Sequence, residues 1–340
     1  MTWMRWRPAM ERALYGPEHG FYRRPEGPAG HFRTSVHASR QYAEAVGRLL
    51  LEVDEALGRP EELALIDVGA GRGELVGALA GLLPGRLRCY GVELAGRPAG
   101  LPEAVRWTER VPAGAVGLVF ANEWLDNVPL DIAEVGEGGE LRYLEVGPDG
   151  AERPGGALEA ADAAWVERWW PRVAAGDRVE LGGPRDAAWA AAVGALDRGL
   201  AVAVDYAHQA SDRPAFGTLT GFRTGREVRP VPDGSCDLTC HVALDAVEAA
   251  GAAGARGSVH SLWTTQRAAL RALGVRGDRP PLARAGTDPA GYLRALAAAG
   301  EAAELTATGG LGGFGWLLQA VRMPVPRSLA DLPGWQTLNP

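Results

Sequence analysis

The chain has 340 residues, with 42 acidic side chains against 35 basic ones and a net charge of −7. That balance excludes a nucleic-acid-binding surface or a basic membrane-facing patch, and the length leaves room for a core of about 200 residues plus added segments. Every basic residue is arginine, which rules out a P-loop lysine, a Schiff-base lysine and a lysine general base.

Abundant Ala, Gly and Pro alongside arginine suggest a GC-rich bacterial gene. Three cysteines are too few for a disulfide framework and suit a reducing compartment. No stretch approaches the roughly 18 apolar residues of a membrane span, and the first residues lack the apolar core of a signal peptide. A cytoplasmic location without membrane insertion is expected. From Met10 a short helix leads into Leu14-Tyr15-Gly16-Pro17-Glu18-His19-Gly20-Phe21-Tyr22, a turn dense in aromatics. Gly30-His31-Phe32-Arg33-Thr34-Ser35 follows, then a helix from about Ala38 to Leu57 with Ala45, Leu49, Val53 and Leu57 on one face. Residues 1–60 read as an N-terminal cap.

The stretch Leu63 to Leu79 is the organising one. Leu63 to Val68 is a short apolar run of the kind that makes a fully buried strand; Gly69, Gly71 and Gly73 follow at once, and an amphipathic helix comes next. Glycines on such a turn let backbone N–H groups approach a ligand beside a helix N-terminus. The third glycine comes one residue too early for a dinucleotide fingerprint, and Glu74 takes the place of that glycine. Asp67, at the strand's end, suits an ammonium group better than a pyrophosphate. A second strand, Leu87 to Val92, ends in Glu93, an acid placed for two ribose hydroxyls. An adenosine with an amino-acid tail in place of phosphates is S-adenosylmethionine. Asp67, Gly69, Gly71, Gly73 and Glu93 are therefore candidate cofactor contacts.

Val105 to Trp107 is a candidate third strand, and Val116 to Ala121 a fourth that ends at Asn122-Glu123, where polar residues face a ligand crevice. Asp126 lies three residues beyond Glu123, and Pro129 stiffens the loop. Asp131 to Val146 reads as a hairpin. Ala157 to Ala175, with Trp165, Trp169 and Trp170, reads as a helix packed on it. Asp186 to Arg198 is another helix, and Leu200 to Val204 a fifth strand before Asp205-Tyr206. Residues 211–240, rich in Pro, Gly and Arg, read as irregular and as a candidate lid. Cys236, Cys240 and His241 fit no familiar metal-ligand set, so no metal is expected. His241 is left open between active-site wall and core histidine. A helix from about Ala243, a strand near Ser258 to Leu262, helices at 265–274 and 288–300, a strand from Trp316 to Val321 and a Pro-rich tail complete the chain.

Several of these blocks together resemble the MidA-type methyltransferases, a family that includes the mitochondrial factor that methylates an arginine of a respiratory complex I subunit. Leu14 to Tyr22 is similar to the family's LY-x-P-x-x-GYY, Gly30 to Ser35 to its G-D-F-x-T-S, and Gly69 to Leu75 to its G-x-G-R-G-x-L. Asn122-Glu123-Trp124-Leu125-Asp126-Asn127-Val128-Pro129 resembles N-E-F-x-D-A-x-P. Asp205-Tyr206, Gly217-Thr218-Leu219, Asp237 to Val242 and Gln266 to Gly274 resemble its later blocks. His31 stands where the family has aspartate, and Tyr42-Ala43 replaces Phe-Gly, which implies a divergent branch.

The expected architecture is α/β. A Rossmann-like core of mostly parallel sheet with helices on both faces spans 61–129 and 186–325; a hairpin-helix insertion occupies 130–185 and a tail 326–340. The resemblance implies an S-adenosylmethionine-dependent methyltransferase acting on a protein arginine, with a role in assembling a respiratory or other protein complex. An arginine acceptor needs carboxylates to orient it, so Glu123, Asp126, Asn122 and His241 are the catalytic candidates. Thr34, Ser35 and Asn122 join the cofactor set, and Tyr15, Tyr22, Asp205 and Tyr206 are substrate candidates. A protein partner without nucleic acid is expected, with a homodimer as one assembly. A non-catalytic cofactor-binding assembly factor and a small-molecule methyltransferase remain open alternatives.

Overall fold

A computed structural model of the chain describes residues 2–23, 34–170 and 174–338. Gly30 to Arg33, including the departure at His31, lie outside the described residues. Strand β1 (Met4–Arg5) runs into helix α1 (Trp6–Tyr15). Trp6, Met10 and Leu14 recur every four residues and are fully buried, so one stripe of α1 is committed to packing. The Asp131 carboxylate accepts the Arg7 N–H at 2.9 Å, satisfying a donor of the first turn. A 3₁₀ turn at Phe21–Arg23 and the short helix α2 (Ser35–Ala38) precede α3 (Arg40–Ala56). Ser39 Oγ caps α3 by accepting the Gln41 N–H at 3.0 Å.

Strand β2 (Leu63–Val68), helix α4 (Glu74–Leu79) and strands β3 (Leu87–Val92), β4 (Val105–Thr108) and β5 (Ala115–Asn122) come next. The expected hairpin forms β6 (Asp131–Val135) and β7 (Leu141–Val146), followed by β8 (Glu152–Ala157), α5 (Ala160–Trp169) and β9 (Arg178–Leu181). The sequence reading missed β8. Its Pro154 and two glycines argue against a central strand, and it is tolerated because it only edges β7. Helix α6 (Gly183–Gly194) leads to β10 (Leu196–Asp205) and β11 (Ala207–His208).

The region read as irregular holds a three-stranded antiparallel sheet of β12 (Thr220–Arg223), β13 (Arg226–Val228) and β14 (Asp237–Thr239). Strands this short carry too little periodicity to stand out from turn residues. After β15 (Val242–Ala243) come α7 (Leu244–Gly254), β16 (Val259–Thr265), α8 (Gln266–Ala272), α9 (Arg284–Thr287), α10 (Pro289–Leu305), β17 (Gly315–Val321) and β18 (Gln336–Leu338). Among the described residues no helix is long and apolar enough to cross a membrane.

The main sheet has the order β18-β16-β17-β10-β5-β2-β3-β4. Five strands, β4, β3, β2, β5 and β10, are parallel neighbours, but β17 pairs antiparallel with both β10 and β16, and β18 antiparallel with β16. The sheet is thus mixed rather than nearly all parallel. An apolar run such as that of β17 is buried on both sides in either direction, so its composition cannot report its polarity. Chain order reverses between β2 and β5, because β3 and β4 lie to one side and β10 to the other; the crevice outside their C-terminal ends is where such sheets bind ligands.

Alternation sends Leu65, Leu118 and Phe120 to the face covered by α3, α4, α8 and α10. Ile66, Val119 and Ala121 go to the face covered by α6 and α7. A second sheet, β1-β7-β6-β9 with β8 on β7, stands beside this core. Ile132 and Leu144 pack under α1, while Ala133 and Tyr143 pack under α5 with Val166 and Trp170. The N-terminal strand thereby joins the sheet of the 131–181 segment, a pairing that no local pattern announces.

Gly117 on β5 faces Ala64 on one neighbour and Gly199 on the other. A Cβ at Gly117 would collide with the Ala64 carbonyl oxygen, and backbone cannot step aside. Gly117→Ala is expected to lower unfolding stability by about 3 kcal/mol or more in urea titration. Gly96→Ala, which meets no heavy atom within 4 Å, is expected to stay within about 0.5 kcal/mol of wild type.

Candidate functional site

A cavity of about 490 Å³ opens at the C-terminal ends of β2 and β5. Its floor is the glycine turn. Gly69, Gly71 and Gly73 all take positive φ, +68°, +57° and +78°. A Cβ on Gly69 would lie 2.7 Å from Trp124 Cδ1, and one on Gly73 2.7 Å from Leu101 Cδ1, so those two serve close packing as well as the turn. A Cβ on Gly71 would meet only Glu74 Oε2, at 3.7 Å; its open side is the cavity. Gly73 does not line the cavity: it caps α4 from a left-handed conformation.

Acids surround this turn. Asp67 Oδ2 accepts the Val76 N–H at 3.2 Å, and burial raises its carboxyl to about 7. Glu93 Oε1 accepts the Leu94 and Ala95 N–H groups at 2.7 and 3.1 Å, and Oε2 accepts that of Gly71 at 3.2 Å. Burial still holds the Glu93 carboxyl above its ordinary value. Thr34 Oγ1 lies 2.7 Å from His37 Nδ1, whose Nε2 is 3.1 Å from Glu74 Oε1. That hydrogen bond raises the His37 imidazole, against the opposing effect of burial. For Glu74, burial acts upward but is outweighed by His37 and by turn N–H groups, leaving it lowered.

Asn122 and Glu123 follow at the end of β5, the strand beside β2. Glu123 takes φ +51°, a left-handed conformation uncommon for a non-glycine residue. Its Oε1 accepts the Ser35 N–H at 2.9 Å and Asn122 Nδ2 at 3.0 Å. Burial pushes its carboxyl up to about 7, with Ser35 pulling it down and Asp126 pushing the same way as burial. Ser35 itself is fully buried and reaches the cavity only through this hydrogen bond.

The next turn corrects the expectation for Asp126. Leu125–Asn127 form one 3₁₀ turn, in which successive side chains point about 120° apart. Asn127 lines the cavity and Asp126 does not. Asp126 Oδ2 accepts the Thr239 hydroxyl at 2.7 Å, and its Oδ1 is buried with no partner among the described residues. Tyr22 O–H lies 2.9 Å from both Asn127 Oδ1 and Asp237 Oδ1, and Asn127 Nδ2 donates to Asp237 Oδ1 at 3.1 Å. Tyr15 O–H donates to the Asn127 carbonyl at 3.1 Å, its ring stacked 5.6 Å from that of Tyr22. Both tyrosines wall the cavity from the N-terminal segment.

Asp205, Tyr206 and His241 also lie outside it. Asp205 spends its oxygens on main-chain donors: Leu125 N and Asp126 N at 2.9 and 3.2 Å on Oδ2, and Tyr206 N at 3.0 Å on Oδ1. Tyr206 stacks on His241 and packs at a tilt against Phe314, ring centroids 5.4 and 4.2 Å apart. Sequence reasoning missed Asn127, Asp237, His37 and Glu74. It also missed Arg185, which is fully buried and donates to the carbonyls of Asp126, Val128, Cys240 and His241. Asn127, Asp237 and Glu74 carried a signal, each lying within a motif block, whereas His37 and Arg185 lay in none.

A family model described as "Putative S-adenosyl-L-methionine-dependent methyltransferase" matches residues 92–261, half of the chain. Two crystal structures from Burkholderia thailandensis share the fold. One, described as a "likely methyl transferase" and bound to S-adenosylhomocysteine, is 23% identical over 98% of this chain and 92% of its own, with a TM-score of 0.81. The other, a native structure of an uncharacterised protein, is 24% identical over 98% of this chain and 91% of its own, with a TM-score of 0.79.

The raised acids have a consequence for stability. Asp67, Glu123 and Asp237 at about 7 and Asp186 at about 6 bind protons more tightly folded than unfolded. Their contribution is complete below about pH 4 and is lost as pH rises to about 7, at up to about 1.4 kcal/mol per pH unit for each group while it titrates. His208, lowered to about 3 by burial, works the other way below about pH 6.5. His241, also lowered by burial, acts with His208, but four acids against two histidines put the maximum on the acid side of neutrality. Scanning calorimetry is expected to give a higher Tm at pH 6 than at pH 8; a Tm that rises between those values would contradict the buried-acid assignment.

Proposed function

The chain belongs to this family of S-adenosyl-L-methionine-dependent methyltransferases, and from that premise we propose that it is a MidA-type enzyme that methylates an arginine side chain of a protein. One observation carries the acceptor: six carboxylates, those of Glu11, Asp67, Glu74, Glu93, Glu109 and Glu123, line the cavity, and no arginine does among the described lining residues. A guanidinium keeps its charge up to a pKa above about 12 and is oriented best by carboxylates. The motif blocks from Leu14 to Gly274 support the same branch.

Asp67, Gly69, Gly71 and Glu93 would hold the cofactor, with Thr34 and Asn122 at its edge. The open space beside Gly71, where a Cβ would meet only Glu74 Oε2 at 3.7 Å, fits close approach of a ligand to the turn. When bound, the cofactor supplies a methyl group on a positively charged sulfur, to which the C–S electron pair returns as the methyl leaves. Little acid–base machinery is needed, so alignment and exclusion of water dominate. Glu123 grips the acceptor cation from the end of β5. Tyr15 and Tyr22 close the wall beside Asn127 and keep water out.

Labelling a lysate of a deletion strain with purified enzyme and tritiated cofactor is expected to put the label in protein, and acid hydrolysis should release methylarginine. Label confined to the metabolite fraction would replace the protein acceptor with a small molecule. Glu123→Gln is expected to cut transfer about 100-fold, about 2.7 kcal/mol of barrier, while cofactor affinity by calorimetry changes less than about threefold. An equal loss of affinity would reassign Glu123 to the cofactor. Gly71→Val should instead weaken cofactor binding by at least about tenfold, because its side chain fills the space the ligand needs.

A further inference from the structure

Tyr42 lies on the buried face of α3, fully enclosed, with its ring edge-on to Phe120 and Trp316 at 6.3 Å each. Those aromatics fix the ring, and its hydroxyl donates to Asn122 Oδ1. With that oxygen committed, the amide has one orientation left: Nδ2 faces Glu123 and donates to Oε1 at 3.0 Å. The same Oε1 accepts the Ser35 N–H at 2.9 Å. Glu123 Oε2 takes no hydrogen bond from any described residue and is not a sealed atom; the residue lines the cavity. One carboxylate oxygen is thus saturated and held still, and the other is left for the ligand.

We propose that Tyr42 is a positioning residue for methyl transfer: through the Asn122 amide it sets the proton affinity of Glu123, whose free oxygen takes the proton that the acceptor nitrogen loses. The proton step rests on the arginine reading above. A guanidinium that gains a methyl on nitrogen keeps a single positive charge only if that nitrogen gives up one N–H proton. The proton passes to Glu123 Oε2 and from there to solvent, returning the carboxylate for the next turnover. A carboxyl that titrates near neutrality is suited to both halves of that exchange.

Asp126 on the same turn, Asp205 and Tyr206 at the end of β10, and His37 from α2 also face Glu123, with Asp67 across the cavity. Removing one hydroxyl from Tyr42 changes none of them. It does free the Asn122 amide to turn its carbonyl toward Glu123, exchanging a donor for a repelling oxygen and strengthening the carboxyl's hold on its proton.

The test is Tyr42→Phe, which keeps the packed ring. With glutamate labelled at the δ-carbon and Glu123→Gln used for assignment, carbon-13 titration is expected to show the Glu123 carboxyl shifted upward by about one unit. The acid limb of the kcat/KM profile for the acceptor should move with it, giving about a fivefold loss at pH 7 that recovers at pH 9. An unchanged Glu123 titration, or a loss equal at every pH, would overturn the proposal and leave Tyr42 a packing residue. The titration needs no acceptor, so a shifted carboxyl in an enzyme that forms no methylarginine would keep the Tyr42–Asn122–Glu123 coupling and overturn the arginine reading alone.

Discussion

The turn that follows β5 is gripped from both sides by buried charge, and the geometry of the site depends on that grip. The Asp205 carboxylate accepts the N–H groups of Leu125 and Asp126, while the Arg185 guanidinium donates to the carbonyls of Asp126 and Val128 and, on its other edge, to those of Cys240 and His241. Arg185 is 1% exposed. A charge removed from water costs several kcal/mol unless its hydrogen-bonding capacity is met, and here carbonyl oxygens and the Cys240 sulfur meet it, the latter at 3.1 Å. A lysine has too few donors, in the wrong geometry, to span four carbonyls. The clamp therefore ties α6, the end of β10 and the 240–241 segment to one turn, and that turn carries Glu123 at one end and Asn127 at the other.

A price follows in proton affinity. Asp126, Asp205, Asp237 and Glu123 are drawn close together, and burial raises all four carboxyls above their ordinary values, with their mutual repulsion adding to it. Arg185 is the cation that offsets Asp126 and Asp205 most directly. The cavity beside them is lined by six carboxylates and by no arginine among the described lining residues. A sulfonium cofactor bound there brings positive charge to that lining and lowers the proton affinity of the carboxyls it meets. The negative charge belongs to the whole lining rather than to one chosen residue.

The glycine-turn half of the cavity was legible because it is local. Strand, glycine turn and helix are contiguous, so Asp67, Gly69 and Gly71 are fixed by sequence neighbours, and Glu93 ends the adjacent parallel strand in register with them. The end of β5 was legible too, up to Glu123. Beyond it the reading failed by one turn of backbone: a 3₁₀ geometry turns Asn127 toward the cavity and Asp126 away from it, and nothing in a run of polar residues distinguishes 3₁₀ from loop. Asp205 failed differently, since an acid at a strand end looks the same whether it meets a ligand or main-chain N–H groups. Arg185, Tyr42 and Asp237 act across 55 to 110 residues of separation, as in the hydrogen bonds from Arg185 to Cys240, from Tyr42 to Asn122 and from Asn127 to Asp237. Such pairings emerge only from the sheet order.

That sheet order also explains how a cap made of the chain's first residues can close a site built from its middle. β1 pairs with β7, so α1 is delivered onto the same sheet that grows out of the turn after β5. The hydrophobic stripe of Trp6, Met10 and Leu14 anchors the helix there, and its last residue, Tyr15, together with Tyr22 beyond it, lands on Asn127. The contact is polar at its tip and apolar at its base. The cap thus meets the β5 turn at Asn127, with Tyr22 reaching Asp237 as well, and that turn is the one Asp205 and Arg185 hold in place. The tyrosine wall of the cavity and the posture of Glu123 are in this way set by one short piece of backbone.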